Sequence, residues 1–153
     1  MTLAEKLARM EEQLETLPQG LRRMEWVMEQ ARQRPGLPEH LRVDSNLVPG
    51  CLARLWMVSR LDARLCHFES DSNSLVVKGV AGLLCDFYSG LSPDEVLALE
   101  PDFLLRMGIT QHLTPNRRHS LHRVRQLIRE FAAQAAARDP DGNPAPGIPN
   151  KPG

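Results

Sequence analysis

Asp71-Ser72-Asn73-Ser74, followed by Leu75-Val76-Val77-Lys78-Gly79-Val80-Ala81-Gly82-Leu83-Leu84-Cys85-Asp86-Phe87-Tyr88, decides the fold. The first four residues are helix N-cap types, whose side-chain oxygens take up the free amides of a first helical turn. The segment behind them is apolar almost all round, broken only by Lys78 and Asp86. A helix of that kind has no solvent face and must lie between layers. Ser89-Gly90 closes it.

Upstream, Leu52 to Arg60 and Leu65 to Ser70 are extended pieces separated by Leu61-Asp62-Ala63-Arg64, an antiparallel hairpin pattern. Arg42 to Val48 is a candidate third strand. Two helices precede it. Thr2 and Glu5 form a capping box, and Leu3, Leu7, Met10, Leu14 and Leu17 recur at helical spacing, with an end near Thr16. Pro18 starts the second, which turns Leu21, Met24, Val27, Met28 and Ala31 inward and stops at Arg34-Pro35-Gly36-Leu37-Pro38.

Downstream, Ser92-Pro93-Asp94-Glu95 supplies a cap, a first-turn proline and a capping-box glutamate for a short helix. Pro101 to Met107 predicts one more turn or two. Thr114-Pro115 opens the last helix, with Leu121, Val124, Ile128, Phe131 and Ala135 as its core stripe. This order predicts an α+β fold, a two-layer domain with a small antiparallel sheet packed against helices, over residues 1–137. Residues 138–153 are expected to be a disordered tail: from Asp139 to Gly153 the chain holds five of its 12 prolines and too little apolar surface for a core.

The 153 residues suffice for one core, and a hydrophobic content of 42% is ordinary for a globular chain. With 19 basic and 19 acidic residues the formal charge is +0, so nothing calls for nucleic acid or an anionic membrane as the main partner. Three cysteines, an odd number without CxxC spacing, argue against a secreted disulfide framework and a zinc site. The amino terminus lacks the apolar run of a signal peptide and no stretch is long enough to span a bilayer, so a cytoplasmic location is expected.

Cys51 stands apart from the other cysteines. Val48-Pro49-Gly50-Cys51 has the chemistry of a type II turn, with proline presetting φ at the second position and glycine accepting positive φ at the third. On the residues alone, a packing thiol and a presented, reactive thiol both fit. Cys66 shares strand parity with Phe68 and Cys85 lies within the apolar helix, so both read as core. His67 points to the opposite strand face from Cys66, which removes a Cys-His pair there.

The chain resembles the SufE family of sulfur acceptors that work with cysteine desulfurases. The likeness runs through Leu17-Pro18, Trp26, Leu37-Pro38, Asn46-Leu47-Val48-Pro49-Gly50-Cys51 with Leu55-Trp56, Asp71-Ser72, Val77-Lys78-Gly79, Tyr88-Ser89-Gly90 and Gln111-His112-Leu113-Thr114-Pro115-Asn116-Arg117, in the family's order and spacing. It implies a SufE/IscU-like version of the two-layer fold. It also implies that Cys51 carries persulfide sulfur from a SufS- or CsdA-type desulfurase towards an iron–sulfur scaffold. The protein would then be an accessory without turnover of its own, with no cofactor, since the pyridoxal phosphate belongs to the partner. A monomer or weak homodimer is expected.

Gly50, Arg54, Asp71 and Arg117 are the candidate partner-binding residues, with Pro49-Gly50 as hinge and Leu47, Val48, Leu52 and Leu55 as shelter for the sulfur. Arg54 is placed to lower the thiol pKa, although a solvated arginine at a strand start is the commoner arrangement. Departures surround these positions. Leu52-Ala53 replaces the family's Gln-Ser, Asn73 replaces an acid, and His119-Ser120 stands where Asn-Gly or Gln-Gly is usual. Such loops are where one desulfurase is told from another. Two other functions remain open at this point. Arg118, His122, Arg125 and Arg129 form a basic stripe on the last helix that suits nucleic acid or an acidic protein, and an IscU-type scaffold would need Cys51, Cys66 and Cys85 to converge.

Overall fold

The computed structural model describes residues 4–6, 8, 9, 12, 21–99, 104 and 108–138. Most of the first helix, the Pro101–Met107 turn apart from Leu104, and the tail from 139 lie outside them. The described chain forms α1 (Leu21–Gln33), β1 (Leu55–Asp62), β2 (Leu65–Ser72), α2 (Leu75–Tyr88), α3 (Pro93–Ala98) and α4 (Pro115–Ala136). Short 3-10 turns lie at Glu39–Leu41, Asp44–Asn46 and Thr110–His112. The fold is α+β, a two-stranded antiparallel sheet packed against helices.

The apolar helix behaves as its sequence demands. Ten of the 14 residues of α2 are buried, because β2, α1 and α4 all pack on it. Ser74 is its N-cap, accepting from the Val77 amide. Val27 and Ala31 of α1 are fully buried, while Met24, Trp26 and Met28 pack at the core's margin. α3 carries the reciprocal Ser92–Glu95 capping box. On α4 the buried stripe is Leu121, Val124, Ile128 and Ala132, with Phe131 half-buried edge-on to the Phe68 ring.

The strands pair with Leu55 opposite Ser72 and Asp62 opposite Leu65. Leu55, Met57, Phe68 and Cys66 therefore share the face turned to the helices. The closing turn places Ala63 at φ 51° and Arg64 at φ 65°. Two successive left-handed residues match the twist of the hairpin, here without the usual Asn-Gly.

The expected third strand at Arg42 to Val48 does not form. Asp44-Ser45-Asn46 winds into a 3-10 turn, with the Asn46 side chain donating to the Leu41 carbonyl, and only a single bridge, Leu47 to Trp56, reaches the sheet. Turn-forming polar residues have outcompeted the ladder. The first strand also starts later than expected, since residues 52–54 belong to a loop. Both sheet edges are occupied: Val48 N–H donates to the Leu55 carbonyl on one side, and on the other Cys66 N–H donates to Leu91 and Gly90 N–H to Cys66. These contacts cover the start of β1 and the start of β2.

Candidate functional site

Residues 49–54 form a loop pinned at both feet. At one foot, Val48 N–H donates 2.8 Å to the Leu55 carbonyl. At the other, Arg54 N–H donates to Asn73 Oδ1 at 3.1 Å, while Asn73 N–H and the Ser72 hydroxyl both donate to the Arg54 carbonyl. The crest is Gly50-Cys51-Leu52-Ala53. Gly50 has φ 81°, the value a type II turn requires at its third position. A methyl group there would meet only ordinary contact with His119, so conformation rather than space demands the glycine.

Cys51 is half-buried, packed with Ala53 against the core margin, whereas Leu52 between them is 84% exposed. Val48 is buried beneath the turn and Leu55 is fully buried. The thiol is thus backed by apolar side chains, as expected, except that Leu52 faces solvent and shelters nothing. The other two thiols are 0% and 2% exposed. Burial pushes Cys66 up to about 11 and Cys85 up to about 12. Both are protonated and shut away at neutral pH, which removes them from nucleophilic chemistry. Among the described residues no group of three or more His, Cys, Asp or Glu side chains is placed to hold a metal, so the convergence that a scaffold reading needs is missing.

Two of the four expected partner-binding residues act through their backbones. Gly50 shapes the turn. Arg54 holds the loop foot through its amide and carbonyl, while its side chain is exposed. Arg117 is half-buried in the first turn of α4, its amide bonded to the Thr114 hydroxyl cap, two residues before His119. Asp71 requires correction. It is 6% exposed, and its carboxylate accepts from the Leu37 amide at 3.1 Å and the Ser72 amide at 2.9 Å, with the Lys78 ammonium 3.8 Å away. A methyl group on Gly36 would collide with that carboxylate. Asp71 therefore ties the loop after α1 to the end of β2 and does not face a partner. The reason is its parity: it pairs with Trp56 on the sheet face opposite Leu55 and Met57, and the 36–37 segment lies over its carboxylate.

Sequence reading missed Arg123. Its Nε donates to the Pro49 carbonyl at 3.2 Å, and its Nη1 donates to Gln126 Oε1 at 2.6 Å. The i, i+4 spacing of His119 and Arg123 was the available signal, pointing one face of α4 at the cysteine turn. Next to this contact an open cleft of about 300 Å³ runs between the Asp44–Asn46 turn, β1 and α4, with Leu47, Pro49, Met57, Leu127 and Phe131 on its apolar side. Part of the basic stripe on α4 is engaged within the fold: Arg129 donates to the carbonyls of Leu97 and Leu99, anchoring the end of α3, while Arg118 and His122 are exposed.

The model of the SufE family, described as an Fe-S metabolism associated domain, matches residues 8–132. The chain belongs to the SufE family. An uncharacterized SufE-like protein of Synechocystis sp. is 26% identical over 131 residues, which cover 86% of this chain and 82% of that relative. A solution structure of a hypothetical protein from Thermus thermophilus shares the fold, with a TM-score of 0.67 at 24% identity, over 86% of this chain and 96% of that one. Membership places the SufE chain in Fe–S metabolism. Among its described residues no helix is long and apolar enough to cross a membrane.

Proposed function

We propose that this SufE-family protein accepts sulfur on Cys51 from a PLP-dependent cysteine desulfurase and passes it towards iron–sulfur cluster assembly in the cytoplasm. The observation that carries the reading is the contrast among the three thiols: Cys51 alone reaches the surface, at the crest of a Pro-Gly turn, while the other two are sealed in the core. In the reaction the Cys51 thiolate attacks the outer sulfur of the partner's cysteine persulfide. A new S–S bond forms at Cys51, the partner's S–S bond breaks, and its cysteine leaves as a thiolate. No external oxidant or reductant is consumed. The apolar backing from Val48 and Leu55 then limits access of reductant to the stored sulfur. The protein supplies a nucleophile and no turnover of its own, and the pyridoxal phosphate is the partner's.

Incubation with a cysteine desulfurase and cysteine, followed by intact mass, tests this. Wild type is expected to gain one sulfur that reductant removes. Cys51→Ser is expected to fold with unchanged stability, gain nothing and give no acceleration of the desulfurase. A reductant-labile adduct persisting in Cys51→Ser overturns the assignment.

A further inference from the structure

In a type II turn the middle peptide is flipped relative to type I, so the carbonyl of the second residue projects from the turn and takes no part in its closing hydrogen bond. Here that carbonyl belongs to Pro49, and the Arg123 guanidinium caps it at 3.2 Å. The guanidinium is itself held from behind by Gln126 at 2.6 Å. One helical turn earlier, His119 Nε2 lies 3.5 Å from the position a Gly50 side chain would start. Two side chains of one α4 face therefore seat the two residues that immediately precede Cys51.

We infer that Arg123 is a positioning residue for the Cys51 thiol: with His119 alongside, it latches the Pro49–Gly50 peptide in the flipped orientation and holds the thiol against the core until a partner draws the crest away. The opposite foot is fixed independently by Asn73 and Ser72, so the crest pivots about Arg54 when the latch lets go. A hydrogen bond from a charged donor is the strongest single restraint on the Pro49 side, and its loss leaves that foot to the backbone contacts of Leu47 and Val48 with β1. As a device for presenting sulfur, the latch rests on the function proposed above. As a restraint on the loop it does not.

The test therefore has two arms. In the first, the rate of alkylation of Cys51 by iodoacetamide is measured on the folded protein without any desulfurase. Arg123→Ala is expected to react about three- to tenfold faster than wild type, the range a net hydrogen bond of this kind supports. Arg123→Lys, which can still reach a carbonyl, should restore most of the protection, and Gln126→Ala should give a smaller increase. If Arg123→Ala folds poorly, Gln126→Ala and amide exchange at Gly50 and Cys51 carry the arm alone. Wild-type rates in every folded variant overturn the latch. In the second arm, with a desulfurase, Arg123→Ala should lower the half-saturating concentration of this protein and leave the maximal rate unchanged, because the latch is broken on docking. Faster alkylation together with no sulfur uptake by wild type defeats the acceptor reading and leaves the latch standing. Normal uptake with unchanged alkylation defeats the latch alone.

Discussion

At the scale of single residues, the environment of each thiol sets its chemistry more than its neighbours in sequence do. Cys66 and Cys51 are both flanked by a leucine, yet one is fully buried in a strand and the other crests a loop. The cost of ionising the buried pair gives a pH dependence whose sign is fixed. An unfolded thiol titrates near 9, while folded Cys66 is raised to about 11 by desolvation. Between those values the unfolded chain has lost a proton that the folded chain keeps, so folding stability falls as pH rises, by about 1.4 kcal/mol per pH unit for each such thiol. Lys6 runs the other way, since desolvation lowers its pKa and the folded ammonium gives up its proton first. Comparing wild type with Cys66→Ala removes that term. Urea unfolding at pH 7 to 10.5 should show the difference between the two constant below pH 9 and shrinking above it. A difference that stays flat to pH 10.5 would mean that Cys66 is not shut off from solvent.

At the scale of elements, legibility follows the strength of the local signal. α2 was readable because its composition allows one environment, and α3 because its cap and glutamate form a reciprocal pair. The third strand was not, since Asp44-Ser45-Asn46 fits turn and strand flank alike until Leu41 and Val43 carbonyls claim the Asn46 donors. The hairpin turn was read in place but not in conformation: neither Ala63 nor Arg64 favours positive φ. Each left-handed non-glycine residue costs roughly 1–2 kcal/mol, a strain carried by the two paired strands. Replacing them with the residues such a turn prefers, Ala63→Asn with Arg64→Gly, is therefore expected to stabilise the protein by about 1 kcal/mol. Urea denaturation measures it, and an unchanged or lowered midpoint would show that the hairpin closes through a different turn in solution.

At the scale of the whole molecule, the cysteine and its turn were legible from Pro49-Gly50-Cys51, whereas the side chains that hold the loop come from 18 to 74 residues away and leave no local trace. Asp71 shows the same limit from the other side. Its motif was visible, but whether a carboxylate faces a partner or the interior depends on the 36–37 segment laid over it. The five departures from the family pattern become coherent once the chain is folded. Leu52 and Ala53 sit on the crest, Asn73 holds one foot, His119 lies beside Gly50, and Ser120 is buried on α4 with its hydroxyl turned back to the Asn116 carbonyl. Four of the five lie on the Cys51 loop or beside it, so under the function proposed above they act on the choice of partner rather than on the fold. Leu52 is the sharpest case, an exposed apolar side chain beside Cys51, where the family carries a polar one. Buried against a partner it would contribute about 1.5–3 kcal/mol, roughly ten- to a hundredfold in affinity. Leu52→Gln with Ala53→Ser is accordingly expected to leave the urea midpoint unchanged. It should raise the half-saturating concentration with the cognate desulfurase by at least about tenfold, and narrow the gap to desulfurases whose own acceptors carry Gln-Ser. Equal effects on every desulfurase tried would place the discriminating contact somewhere other than the crest.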